Sequence, residues 1–188
     1  LRALDAVEGI ERYRISSIEP NLLTDEIIDF CASSTKFQHH FHIPLQSGSD
    51  RILGLMRRRY TTARFADRIA AVRRRMPDAF IGIDVIVGFP GETEADFAEL
   101  LQFVDDVRFD RLGVFAYSEE EGTYSALHLK DDVPDEVKRR RVERIMERQK
   151  AISLDNNLRR VGRTERVVVD ARQGDYYVCR TQYDSPEV

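Results

Sequence analysis

Tryptophan is absent, lysine occurs four times, cysteine twice, and no apolar run is long. The longest, Ile81 to Val87, is interrupted by Asp84 and falls far short of the roughly 20 residues that cross a bilayer. No membrane span is expected. Residue 1 is Leu, and no charged start, apolar stretch and small-residue cleavage site follow it, so no secretory leader is visible and chain and gene need not begin together. Cys31 and Cys179 lie far apart without a Cys-x-x-Cys spacing, which gives neither a disulfide framework nor a metal signature and suggests a reducing, cytoplasmic setting. Against four lysines stand 25 arginines, within a net charge of −4. Arginine pairs with carboxylates and phosphates as a planar fork, but the overall acidity argues against a dedicated nucleic-acid binder.

What is present, 42% hydrophobic residues over 188 positions, suffices for one core and a small appendage. Arg12 to Ile18 reads as a strand stopped by Pro20, and Thr24 caps a helix over 25–32 whose first turn is acidic. His39 to Leu45 reads as a second strand, followed by the polar loop Gln46 to Ser49 and a helix over 50–57. A helix from Thr61 or Thr62 to Pro77 carries Phe65, Ile69, Val72 and Met76 on one face. The β-branched run 81–87 suits a strand covered on both sides. A loop, Gly88 to Glu92, leads to a variant capping box at Thr93 and Asp96, a helix through Val107, and a fourth strand over 111–117.

Alternating strands and helices predict parallel βαβ units in an open or partial barrel or in a doubly wound sheet. Residues 118–133 read as a polar loop. Pro134 starts a charge-dense helix to about Arg160, with Val137, Ile145, Met146, Ile152 and Leu158 as its apolar stripe. From Gly162 the period is two, and a turn at Gln173 to Asp175 predicts a hairpin, too small to stand alone.

Ligands of parallel α/β proteins bind at the carboxyl ends of the strands. Those ends supply Ser16, Ser17 and Glu19; Gln46, Ser47 and Ser49; Gly88, Phe89, Pro90, Gly91 and Glu92; and Tyr117 and Ser118. The set holds no catalytic histidine or nucleophilic cysteine. It suits holding a ligand's hydroxyls and amino group, with glycines that allow close approach of a ring or carboxylate, although plain turns would use the same residues. The triplets Arg57 to Arg59, Arg73 to Arg75 and Arg139 to Arg141 read as salt-bridged helix surfaces, except that Arg58 can reach the strand ends and bind a carboxylate. His40 and His42 share a strand face, but no third ligand follows, and packing or surface roles are expected.

The series Ser16-Ser-Ile-Glu-Pro20, His42-Ile-Pro-Leu-Gln-Ser-Gly-Ser-Asp50, Met56-Arg-Arg58 and Asp84-Val-Ile-Val-Gly-Phe-Pro-Gly-Glu-Thr93 resembles the radical S-adenosylmethionine (SAM) methylthiotransferase family. Tyr117 to Thr123, Ser153 to Asn157 and Asp175 to Val188 look like its RimO branch, which modifies an aspartate of small-subunit ribosomal protein twelve. The sibling MiaB branch, which acts on a tRNA adenosine, and a non-catalytic docking module for the ribosomal protein are the alternatives. From Gly162 onward four arginines face five carboxylates, and an RNA-binding barrel should be basic.

The resemblance implies the C-terminal part of a parallel (β/α) barrel over 1–133, a connector helix over 134–161, and a truncated, TRAM-like small β-barrel from 162 to 188. It implies SAM bound by Ser17, Glu19, Gln46, Ser47 and Arg58, with Gly88, Phe89, Pro90 and Tyr117 on the adenine side. It also implies two 4Fe-4S clusters in the intact enzyme, whose cysteines this chain lacks. The chain alone is therefore expected to bind no iron, to be inactive and to self-associate through exposed strand edges. The reductase and sulfur donor stay unnamed. Arg59 stands where the family usually has Gly, so strain is expected if that position needs a positive φ.

Overall fold

A computed structural model describes residues 1–184; residues 185–188, which end the stretch resembling the RimO branch, lie outside the described residues. A four-residue helix, α1 (Arg2–Asp5), precedes β1 (Tyr13–Ile15), α2 (Asp25–Ser33), β2 (Phe37–His42), α3 (Asp50–Leu55), α4 (Thr62–Arg75), β3 (Phe80–Val87), α5 (Glu94–Val107) and β4 (Arg111–Ala116). A short helix α6 (Tyr124–His128) then precedes α7 (Asp135–Leu158) and the hairpin β5 (Val168–Gln173) and β6 (Tyr176–Arg180).

The first four strands form one parallel sheet in the order β1-β2-β3-β4. Sequential order excludes the doubly wound alternative, in which the chain reverses and helices cover both faces. Phe41, Ile83, Val85 and Val87 share one buried cluster with Ile28 of α2, Phe65 and Ile69 of α4, Phe97 and Leu100 of α5, and Ile145 of α7. Those helices therefore cover the same face. The β3 run is not covered on both sides as expected: Ile81, Ile83, Val85 and Val87 are enclosed, while Asp84 and Ile86, of opposite parity, are partly exposed. Pleating explains the difference, since successive side chains point to opposite faces.

The predicted caps form. The Thr24, Thr61 and Thr93 hydroxyls accept from the backbone N–H three residues on, and Asp96 completes the capping box with Thr93. The triplets split as helix geometry requires. Arg73 donates to the carbonyls of Val107 and Arg108 at the end of α5, whereas Arg74 is exposed.

Two elements differ from expectation. The loop after β4 contains α6, capped by Thr123. The buried stripe of α7 is Lys138, Arg141, Ile145, Gln149 and Ile152, while Met146 and Leu158 are exposed. Polar members can be buried because each has a partner from elsewhere: Asp131 for Lys138, Glu92 for Arg141, and the Phe109 carbonyl for Gln149. β5 and β6 pair antiparallel about the predicted turn.

Candidate functional site

Past the end of β2 the backbone turns sharply. Gln46 takes φ 70°, yet its N–H donates to the Asp84 carbonyl at 2.9 Å and its carbonyl accepts from Ile86 at 2.9 Å. A left-handed residue locked into the edge of β3 is strained for a side chain with a Cβ. From below, the Tyr60 hydroxyl donates towards the Pro44 and Leu45 carbonyls, at 3.1 and 3.2 Å. Burial pushes that phenol up to about 12, so it stays protonated.

The loop is also pinned from its far side. Asp96 accepts from Ser49 at 2.7 Å, from the Thr93 hydroxyl and backbone, and from Arg51. Burial alone would raise this carboxyl, but the bonds from Arg51, Thr93 and Ser49 outweigh it and hold the group well below the usual carboxylate range. Gly48 is required here, because a Cβ would lie 2.4 Å from the Leu100 backbone.

After β3, Gly88 (φ 73°) passes so close to α7 that a Cβ would meet Lys138 Cγ at 2.3 Å. Its N–H donates to Glu92 Oε1 at 2.9 Å, and Glu92 is bound by Arg141 at 2.6 Å inside the protein. Burial is the largest influence on Glu92 and raises its pKa despite these partners. The loop delivers Phe89, whose ring meets Tyr117 edge-on at 5.2 Å.

These ends enclose a cavity of about 570 Å³, within the range of small-molecule sites. Gln46, Arg58, Phe89 and Tyr117 line it, together with Asp84, Ile86, Met56, Phe115 and Ser118, and Tyr124 of α6. Two polar atoms are conspicuous. Arg58 Nε and the Tyr117 hydroxyl are buried without a hydrogen-bond partner, although Arg58 Nη1 reaches Glu19 at 3.5 Å. Buried donors of this kind ordinarily have partners.

The expected site residues therefore separate. Gln46, Arg58, Phe89 and Tyr117 converge. Glu19 touches the cavity only through Arg58, and Ser17 is exposed outside its lining. Ser47 is buried, its hydroxyl accepting from Ser49 N–H at 3.2 Å, and Gly88 and Pro90 are buried behind Phe89. For Ser47, Gly88 and Pro90 the loop geometry turns a suitable residue type toward the core. Arg59 is not among the residues with positive φ; Arg57 is, at 58°. The strain expected at 59 thus falls two residues earlier, where the chain leaves α3.

The residue reading missed Asp84, which forms a 2.8 Å pair with His42 Nε2 on the open face of the sheet, each side chain 34% exposed. Their shared parity with Gly82 was the available signal. No group of three His, Cys, Asp or Glu side chains able to hold a metal stands together among the described residues. Cys31 is buried and Cys179 exposed on the hairpin.

Residues 1–104 match the model of the radical SAM superfamily. "Ribosomal protein uS12 methylthiotransferase RimO" of Parabacteroides distasonis is 43% identical over 182 residues, 97% of this chain and 42% of that protein. The protein of that name from Thermotoga sp. (strain RQ2) is 41% identical over all 188 residues, 44% of its length. A tRNA-2-methylthio-N(6)-dimethylallyladenosine synthase of Clavibacter sepedonicus is 47% identical over 174 residues, 93% of this chain and 33% of that one. The chain thus spans less than half the length of these curated relatives. Among solved structures, Escherichia coli coproporphyrinogen III oxidase (HemN), a radical SAM enzyme, superposes with a TM-score of 0.60 at 20% identity, covering 77% of this chain and 32% of that chain, a likeness in fold.

Proposed function

The chain belongs to the radical SAM superfamily, and from that premise we propose that it is the SAM-holding part of a methylthiotransferase acting on an aspartate of small-subunit ribosomal protein twelve. The observation that carries the reading is the strand-end cavity with its two unpartnered buried groups, Arg58 Nε and the Tyr117 hydroxyl.

Both suit SAM. The Arg58 guanidinium, anchored by Glu19, would take the SAM carboxylate as a charge-assisted fork. Gln46 and the Tyr117 hydroxyl would hold ribose hydroxyls, and the faces of Phe89, Ile86 and Met56 offer apolar surface to adenine. Bound SAM supplies the group on which the reaction starts; the chain's task is to fix it against its substrate and keep water out. The buried rings of Phe89 and Tyr117 serve that end. The described residues do not fit an iron–sulfur cluster, since their two thiols lie apart, one buried in α2 and one exposed on the hairpin.

The sequential four-stranded sheet supports reading residues 1–133 as part of a (β/α) barrel. The hairpin supports a TRAM-like unit from 162 onward, with α7 joining the two. A ribosomal-protein substrate is favoured over tRNA by the whole-chain match to the uS12 enzymes and by the acidic balance after Gly162. Such a substrate places the activity in the cytoplasm.

Calorimetric titration of SAM into the chain tests the site. Arg58→Ala should weaken binding by about tenfold or more, the usual effect of removing a hydrogen bond to a charged group; an unchanged affinity would overturn the assignment. Mass spectrometry of the ribosomal protein from a deletion strain tests the substrate. The methylthio mass on its aspartate should vanish, and its persistence alongside a lost tRNA methylthio mark would transfer the reading to the tRNA sibling.

A further inference from the structure

The chain between β4 and α7 is fixed at its two ends and loose between them. Tyr117 is buried with its ring edge-on to Phe89, and Leu129 packs against the same small cluster of Ile52, Phe89 and Tyr117. Just beyond Leu129, Asp131 accepts from Lys138 and Asp132 from the Gly91 N–H at 2.7 Å. Residues 118–128 join these two anchors, and none of them is buried. Anchors within one cluster and an exposed middle make a surface loop of the compact kind that often serves a site.

That middle borders the strand-end cavity: Ser118, Glu120, Thr123, Tyr124 and Ser125 line it together with Gln46 and Arg58. Among the described residues its hydrogen bonds stay within 118–129. The Thr123 hydroxyl accepts from the Ala126 N–H at 3.3 Å and donates to the Glu120 carbonyl at 2.7 Å, and His128 Nδ1–H donates to the Tyr124 carbonyl at 3.0 Å. A side-chain contact ties it to the body of the protein, where the Arg57 guanidinium lies 4.3 Å over the Tyr124 ring.

Arg57 leaves α3 at φ 58°, a left-handed conformation that is costly for a residue with a Cβ, and its side chain forms no hydrogen bond or ion pair among the described residues. Strain at a residue without polar partners directs attention to the contact it does make. A cation over an exposed ring is a weak contact, and the left-handed backbone offsets part of it, so residues 118–128 are held without being locked. The exposed apolar groups point the same way. Tyr124 is 44% exposed, and Phe115 of β4, which lines the same cavity, is 57% exposed. A ligand lying in the cavity gives both rings a surface to cover, which draws α6 inward. Gly122, at φ 80° with open space where a Cβ would sit, lets the chain bend at the start of α6.

We propose that residues 118–128 are a strap over the strand-end cavity, held by Arg57 on Tyr124, that closes on the bound ligand and slows its escape. The inference rests on the reading of that cavity as the SAM site. Arg57 enters it as a positioning residue, acting through Tyr124. A strap that closes once the ligand is inside changes the rate of leaving more than the rate of entering.

Hydrogen exchange read by mass spectrometry tests the strap on the full chain, with SAM as the probe. The hairpin β5–β6, exposed likewise and outside the cavity lining, is the internal reference. Saturating SAM should slow exchange in 118–128 by about tenfold or more and leave the hairpin as it was. Arg57→Gln keeps the backbone demand and removes the cation. It should raise the SAM dissociation rate about threefold, the worth of a cation over an exposed ring, without slowing association, and should restore faster exchange to 118–128 in the SAM complex. Tyr124→Leu should do the same, which separates the latch from a direct effect of the Arg57 charge on SAM, and it gives the reading should Arg57→Gln fail to fold. SAM binding with unchanged exchange in 118–128, equal protection of the hairpin, or an Arg57→Gln chain with unaltered dissociation and exchange overturns the strap and leaves the cofactor reading standing. Failure of the unaltered chain to bind SAM sinks the cofactor reading, and the strap with it.

Discussion

On the helix-covered side of the sheet Phe41, Ile83 and Val85 are enclosed, whereas one residue along the same strands His42 and Asp84 keep 34% of their side chains in the open and hydrogen-bond each other. The backbone is shared, so the difference comes from parity alone. The covered face obeys volume: its residues are apolar, interlocked with four helices, and replaceable only by groups of similar size. The other face is polar, holding Arg14, His40, His42 and Asp84, with glycines at 82 and 113 leaving room over the His42–Asp84 pair. The apolar core and the open polar surface are therefore carried by alternate positions of single strands.

The largest effect that tests this division compares neighbours. Phe41→Ala should cost about 3–5 kcal/mol, the usual loss for emptying a fully buried aromatic site. His42→Ala, one position on, should cost less than about 1 kcal/mol, since half-exposed polar contacts contribute little. Urea unfolding of both variants measures the contrast, and similar losses at 41 and 42 would break it.

A smaller effect concerns His40, the open-face residue that is nevertheless buried. Burial first, then the charge of Arg14, drives its pKa from 6.5 down to about 4. A group with a depressed folded-state pKa contributes stability that is full above its unfolded value and is lost as pH falls toward the folded one. His40 should therefore remove about 3 kcal/mol of stability between pH 6.5 and pH 4, from the size of that shift. His40→Leu should flatten the stability profile across this window. A slope unchanged by the substitution would mean that the ring is wet and belongs with His42.

Much of this was readable from the sequence, and unevenly so. The four strands and their helices follow from periodicity, and the Thr24, Thr61 and Thr93 caps from local hydrogen bonding within three residues. α6 hid in a polar loop because its five residues present no buried stripe. The buried face of α7 was misread because Arg141 and Gln149 are made tolerable by Glu92 and the Phe109 carbonyl, partners about forty to fifty residues away that no local pattern reveals. At the candidate site, residue type and strand-end position located Gln46, Arg58, Phe89 and Tyr117. They could not tell Ser47 or Gly88, turned inward by loop geometry, from these four. His42 and Asp84 required knowing which face of the sheet stays uncovered.

The smallest effects sharpen the comparison where β2 runs out into the loop. Gln46 holds φ 70°, so Gln46→Gly should stabilise the chain by about 1 kcal/mol through relief of a left-handed backbone. The same change removes a group facing the cavity, so SAM affinity should fall as stability rises. Arg59 is the control, because it lies outside the positive-φ set and outside the cavity lining. Arg59→Gly should lose about 0.5 kcal/mol to the greater freedom of the unfolded chain and leave SAM affinity unchanged. Opposite signs of stability change at 46 and 59, read with one calorimetric SAM titration each, would show that strain in this loop is spent on aiming Gln46. Stabilisation at 59 instead would return the strain to the position where the family usually carries glycine.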